Sequence, residues 1–166
     1  VLQLFAKHYK TGEVIPEALI KKLKDANSFN GGFATVEYMA AAYLDMYWHS
    51  LEAPTELDVN EFEAKKLNEL GLIDEIQPRY RSTYFSHIFS GGYSAGYYSY
   101  QWSEVLDADC FNAFKKTGNL FDPAVAKRYQ EMMSKGGSEK GMKLYKDFRG
   151  QEPDIKWLMK KKGFIE

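Results

Sequence analysis

A single cysteine, Cys110, stands among 166 residues, so the chain can form neither an internal disulfide nor a cysteine-rich zinc site. That scarcity suits a reducing compartment, and a cytoplasmic location is the expectation. No apolar run approaches the ~20 residues of a membrane-spanning helix, and no signal peptide is visible. Charge of one sign is lacking too. With 22 Lys and Arg against 23 Asp and Glu, the net charge of −1 argues against a generally basic nucleic-acid binder. The three histidines are His8, His49 and His87, and no two of them form a His-Glu-x-x-His or His-x-x-x-His pair. Nothing resembles a nucleophile–base pair or a phosphate-cradling loop.

What is present fits a globular protein, with 45% hydrophobic and 27% charged residues. A chain of this length fits one domain, burying roughly 70% of the surface it exposes when unfolded. Aromatic residues are abundant: 12 Tyr, 11 Phe and 3 Trp. Tyrosine joins an apolar body to a polar tip, so a surplus of it suits ligand-lining or interface surfaces as well as cores.

The pattern predicts an all-α fold, a multi-helix bundle over residues 1–166, with no repeat or linker. Residues 1–10 carry Leu2, Phe5 and Tyr9 on one stripe and stop at Thr11-Gly12, like the tail of a helix begun upstream. The chain opens on Val1 in mid-helix pattern, so it is expected to be the C-terminal part of something longer. Pro16 starts a helix to about residue 26. A long helix over 34–50 is apolar around so much of its circumference, through Tyr38, Met39, Ala42, Tyr43, Met46 and Tyr47, that it should be largely buried. Pro54 follows as a breaker. Asn60 caps a shorter helix that Gly71 stops. Residues 72–91 are the longest non-helical candidate, and such a loop in a compact helical domain is usually either functional or misassigned. A helix from Tyr93 to about residue 116 comes next. Asp122-Pro123 opens another to about 134, Ser138-Glu139 caps one ending near Gly150, and Pro153 begins the last, which Gly163 stops.

The most informative segment is His87-Ile88-Phe89-Ser90-Gly91-Gly92-Tyr93 running on to Tyr97 and Tyr100. At about 100° per residue, Tyr93, Tyr97, Tyr100, Glu104 and Asp107 share one helix stripe. Ala95, Tyr98, Trp102, Val105 and Leu106 fall opposite and should pack into the bundle. Taken singly, each tyrosine reads as a packing residue with a satisfied hydroxyl. Three together, behind a histidine and a Gly-Gly pair, read as a site. A phenol, with a pKa near ~10, stays protonated at neutral pH and can donate to a developing oxyanion. Gly91 and Gly92 allow close backbone approach and a hinge.

Other candidates read more plainly. His8 and His49 are structural, Cys110 is a buried small hydrophobe, and Lys160-Lys161-Lys162 complements a helix dipole. Arg79 and Arg81 could hold a carboxylate or be a solvated pair. Glu104 and Asp107 read as a solvated face. Two rival accounts remain. In one, the phenols form a non-catalytic aromatic groove that stacks on sugars or unpaired bases. In the other, they are the core of a structural scaffold, buried and lining no cleft.

The segment from His87 through Tyr100-Gln101-Trp102-Ser103-Glu104-Val105 closely resembles the C-terminal part of the thimet-oligopeptidase family of zinc metallopeptidases, its bacterial peptidyl-dipeptidase and oligopeptidase A members above all. Phe29-Asn30-Gly31-Gly32-Phe33-Ala34-Thr35, Leu44-Asp45-Met46 with Trp48-His49, and Phe148-Arg149-Gly150-Gln151-Glu152-Pro153 extend the resemblance along essentially the whole chain. The resemblance implies a mostly helical enzyme that cleaves short peptides, either releasing C-terminal dipeptides or cutting internally. It implies catalytic zinc in the full-length enzyme, with ligands and general base upstream of Val1 and no catalytic metal bound by this chain. On matching positions Tyr100 would be the catalytic oxyanion donor. His87, Gly91, Gly92, Tyr93 and Tyr97 would bind substrate. The implied partners are short peptides and the missing N-terminal part of the same protein, with no nucleic acid and no membrane. Alone, the chain is expected to hydrolyse no peptide.

Overall fold

Helix-forming stretches separated by glycine and proline stops give a helical protein, and the computed structural model describes it over residues 2–53 and 56–166. Among the described residues there are nine α-helices, two short 3₁₀ turns and no strand. The helices are α1 (Leu2–Phe5), α2 (Glu17–Asn27), α3 (Gly31–His49), α4 (Val59–Glu69), α5 (Ser86–Phe89), α6 (Ser99–Lys115), α7 (Pro123–Ser134), α8 (Gly141–Arg149) and α9 (Lys156–Lys161). Pro54, expected to break the chain, lies outside the described residues, as does Val1.

Local signals set several ends. The Asp122 carboxylate accepts from the Val125 N–H at 2.9 Å with Pro123 at the first position of α7, as the sequence predicts. Helix α8 ends on Gly150 in the left-handed region (φ 71°). The α4 cap is Asp58 rather than Asn60, its Oδ1 accepting from the N–H groups of Asn60 and Glu61, both at 2.9 Å. Helix α8 starts after Lys140 and α9 after Ile155, each two or three residues later than expected. Helix α3 begins earlier than expected, at Gly31, behind a left-handed Asn30 (φ 56°).

Three expectations are corrected outright. The first helix stops at Phe5, and the chain turns back through an isolated antiparallel bridge between Lys7 and Val14, leaving Leu4, Phe5 and Tyr9 exposed. On α3 only the side carrying Ala40, Ala41, Ala42, Leu44 and Asp45 is buried, whereas Met39, Tyr43 and Met46 are exposed. The helix expected from Tyr93 begins only at Ser99, because Ser94 to Tyr98 form consecutive turns and Tyr93 lies in the loop before them.

The core divides into three clusters. Ala41, Ala42, Phe85, Ile88 and Tyr97 form one cluster, with Tyr38, Trp48, Tyr80 and Tyr100 packed against it. Cys110, Ala113, Val125, Tyr145 and Phe148 form another between α6, α7 and α8, and Val105, Ala108 and Leu158 join α6 to α9. Cys110 is buried as expected, and burial pushes its thiol up to about 11. Among the described residues no helix is long and apolar enough to cross a membrane.

Candidate active-site face

Three elements converge on the aromatic cluster: the middle of α3, the stretch 72–98, which is not wholly non-helical as expected but holds a 3₁₀ turn at Ser82–Tyr84 and α5, and the first turn of α6. Arg81 and Ser82 anchor the irregular stretch. The Glu63 carboxylate, buried on α4, accepts from Arg81 Nε and from the Ser82 N–H at 2.7 Å. Arg81 therefore holds a carboxylate within this chain. Trp48 Nε1 donates to Ser82 Oγ at 2.8 Å and ties the same point to α3.

The loop that follows is folded around glycine. A Cβ at Gly91 would sit 2.9 Å from the Cα and from the carbonyl oxygen of His87, so only glycine lets the backbone double back over α5. Gly92 occupies φ 81°, where any side chain is strained. The Tyr93 N–H then donates to the His87 carbonyl at 3.0 Å, and Ser94 Oγ to the Ile88 carbonyl at 2.6 Å. These bonds bring His87 and Tyr93 together.

The rings form one continuous cluster. Tyr93 stacks on Tyr100 with centroids 5.2 Å apart and planes 23° apart. Tyr97 meets Tyr100 edge-on at 5.2 Å, His87 at 5.9 Å and Phe85 at 4.8 Å. His87 lies 6.1 Å from Tyr93 and 4.7 Å from Tyr80. The Arg79 guanidinium sits over the rings of Tyr38 and Tyr80, at 5.6 and 5.9 Å, adding positive charge beside the phenols.

All six predicted site residues are thus brought together, but not as one helix face. Tyr97 is only 3% exposed and belongs to the packed core, whereas Tyr93 is 36% exposed and Tyr100 is half-buried beside it. Tyr97 therefore floors the cluster as the scaffold account expected, and Tyr93 with Tyr100 forms its rim. The supposed packing face is reversed in part: Ala95, Tyr98 and Trp102 are exposed. Glu104 pairs with Lys162, just past the end of α9, at 2.9 Å, and Asp107 with Lys161 of α9 at 2.7 Å.

The environment favours protonated phenols. Burial pushes Tyr97 up to about 12, and burial followed by the Glu104 charge raises Tyr38. Tyr100 is raised first by its hydrogen bond with Tyr93 and then by partial desolvation. Each stays an O–H donor well above neutral pH. His87 Nδ1 is buried without a hydrogen-bond partner among the described residues. An open face with donors at its rim can polarise a carbonyl oxygen laid across it.

Sequence reasoning missed Asp45. Fully buried on α3, its carboxylate accepts from the Ala95 N–H at 2.9 Å and the Tyr97 N–H at 2.8 Å, and lies 2.8 Å from His49 Nδ1. The available signal was a carboxylate flanked by alanines and leucine on the small-residue side of an apolar helix. Tyr80 and Arg79 were likewise not foreseen as parts of the cluster.

A zinc ion finds no fit here. Among the described residues no three His, Cys, Asp or Glu side chains are grouped to hold a metal. His8 Nδ1 is occupied by the Thr11 turn and His49 by Asp45.

The fold and this face define an all-helical protein with an aromatic hydrogen-bond-donor surface built on turns. The model of Peptidase family M3 matches residues 1–164. The dipeptidyl carboxypeptidase of Escherichia coli strain K12 is 38% identical over 165 residues, 98% of this chain and 24% of that protein. Oligopeptidase A of Haemophilus influenzae is 33% identical over 166 residues, and the organellar oligopeptidase A of Arabidopsis thaliana 36% over 172, each covering 99% of this chain. This chain belongs to Peptidase family M3, as the tyrosine segment implied. It spans about a quarter of the length of these relatives, 24% and 21% for the last two.

Proposed function

We propose that the chain is one wall of the active site of a zinc peptidase acting on short peptides, with the zinc ligands and the general base supplied by protein outside these 166 residues. The observation that carries this reading is the Tyr93–Tyr100 pair stacked at the rim of a packed aromatic floor, with the Tyr100 phenol kept protonated by its hydrogen bond with Tyr93. Attack on a peptide carbonyl moves negative charge onto its oxygen. The Tyr100 hydroxyl donates a hydrogen bond to that oxygen, and the preorganised ring pays no reorganisation when the charge develops. Tyr93 and His87 bind the substrate backbone, and Gly91-Gly92 lets the loop lie close to it. Tyr97 contributes by holding Tyr100 from beneath.

Release of C-terminal dipeptides is the favoured specificity, on the 38% identity to a dipeptidyl carboxypeptidase. Internal cleavage is the second reading, on the oligopeptidase A relatives. Product analysis on a C-terminally amidated peptide separates them, since dipeptide release depends on recognising the free carboxylate.

In the protein that carries this chain, Tyr100→Phe is expected to lower kcat ~10²–10³-fold with zinc content unchanged. Unaltered turnover in that variant removes Tyr100 from the mechanism.

A further inference from the structure

Between Gly92 and the start of α6 the backbone makes a turn that its own sequence does not favour. Ala95 sits at φ 52°, a left-handed conformation that costs an alanine free energy and persists only where neighbouring structure imposes it. Within the turn, the Gly96 N–H donates to the Tyr93 carbonyl at 2.9 Å and the Ser99 N–H to the Gly96 carbonyl at 3.0 Å. The N–H groups of Ala95 and Tyr97 instead go to one side chain fifty residues away, Asp45, at 2.9 and 2.8 Å.

Asp45 cannot move to suit the turn. It is fully buried on α3, between Leu44 and the exposed Met46, and its Oδ1 lies 2.8 Å from His49 Nδ1, which is also 2.9 Å from the Asp45 backbone carbonyl oxygen. One oxygen takes Ala95 and the other takes Tyr97, so both ends of the strained step are fixed to the most buried side of the longest helix. Tyr97 is thereby placed against Ala41, Ala42 and Phe85, and its ring bears edge-on against Tyr100. The Tyr100 N–H donates to the Tyr97 carbonyl at 3.3 Å, so the backbone and the ring of Tyr97 both hand the position on.

We infer that Asp45 is a positioning residue for the oxyanion donor: its carboxylate clamps the N–H groups of Ala95 and Tyr97 and so sets where the Tyr100 hydroxyl points. The inference rests on the reading of Tyr100 given above. A hydroxyl displaced by about 1 Å loses most of its preference for the transition state over the substrate, which lowers kcat and leaves KM nearly alone.

The test is a kinetic cycle on a short peptide in the full protein, comparing wild type, Tyr100→Phe, Asp45→Asn and the double variant. Asparagine keeps the volume but presents an amide N–H₂ to one of the two backbone donors. The expected result is a kcat lowered about 10–100-fold by Asp45→Asn with KM changed less than about 3-fold. On the Tyr100→Phe background the same substitution should change kcat less than about 3-fold, because the group it positions is already gone. A merely structural role would lower kcat by the same factor in both backgrounds, and that outcome overturns the inference. So does full activity of Asp45→Asn where Tyr100→Phe is impaired. If Tyr100→Phe itself keeps full turnover, the reading of Tyr100 fails first and the inference falls with it. Should Asp45→Asn not fold, Ala95→Val strains the same turn from its exposed side, since a β-branched residue resists φ 52°. It should reproduce the kcat loss and its disappearance in the Tyr100→Phe background, and an unchanged kcat overturns the inference.

Discussion

Two buried aspartates hold two regions of this molecule together in different ways. Asp45 lies under the aromatic face and spends its oxygens on main-chain N–H groups of a strained turn. Asp109, fully buried on α6, lies between the helices of the C-terminal half and takes mainly side chains, besides the Asp154 N–H at 3.4 Å. The Tyr145 hydroxyl donates to its Oδ2, and Arg149 Nη2 and Nε donate to Oδ1 at 2.5 and 3.2 Å. One carboxylate shapes a loop, and the other neutralises a buried cation and locks α8 to α6. The same residue type therefore shapes a loop in one region and joins helices in the other, and its partners decide which.

The largest expected effect falls on the stability side. Asp109→Ala leaves the Arg149 guanidinium buried without its counter-charge, and should cost about 3–5 kcal/mol in urea unfolding of the protein that carries this chain. A loss under 1 kcal/mol breaks the comparison, because Asp109 would then be no more than a surface-like pair. The Tyr100→Phe effect on kcat, equivalent to about 2.7–4 kcal/mol of transition-state stabilisation, belongs to the other region and should leave the urea midpoint unmoved.

Glycines sharpen the contrast. Gly92 and Gly150 both occupy left-handed backbone, at φ 81° and 71°, one in the loop behind Tyr93 and one ending α8. Alanine at either should cost about 1 kcal/mol of stability. Only Gly92→Ala should also lower kcat, and an equal kcat loss from Gly150→Ala would erase the functional distinction between the regions.

The smallest effect is a difference in alkaline unfolding. Burial raises Cys110 from its ordinary 9.0 to about 11, and Tyr97 from 10.0 to about 12. For each group the unfolded chain gives up its proton first, so stability falls as pH climbs through the window between the two values. The C-terminal half should weaken from about pH 9 and the aromatic face from about pH 10. Cys110→Ala should flatten the profile between pH 9 and 10 and leave the later fall; an unchanged profile removes Cys110 as its cause.

The same division explains what was legible in the sequence. Helix α7 could be read directly, because Asp122 and Pro123 act within one turn of each other. Gly150 and Gly163 marked helix ends for the same local reason. Tyr93, Tyr97 and Tyr100 satisfy a helical spacing, yet the first two lie outside the helix, because a carboxylate fifty residues earlier claims two backbone donors. No window of sequence contains that contact. The grouping of His87 with the tyrosines was nonetheless legible, since the loop that joins them is short and glycine-built. The reversal at residues 6–15 was hidden differently: Leu2, Phe5 and Tyr9 fit a helix stripe, but the chain closes on itself through Lys7 and Val14 instead.

The proposed chemistry turns on where one hydroxyl points when a carbonyl becomes tetrahedral. The direct measurement is a crystal structure of the protein that carries this chain, bound to a peptide whose scissile carbonyl is replaced by a tetrahedral phosphinyl group. The account predicts Tyr100 Oη about 2.5–3.0 Å from a phosphinyl oxygen, with Asp45 still holding the Ala95 and Tyr97 N–H groups. A phosphinyl group bound with Tyr100 turned away, still stacked on Tyr93 and touching no ligand oxygen, would contradict it.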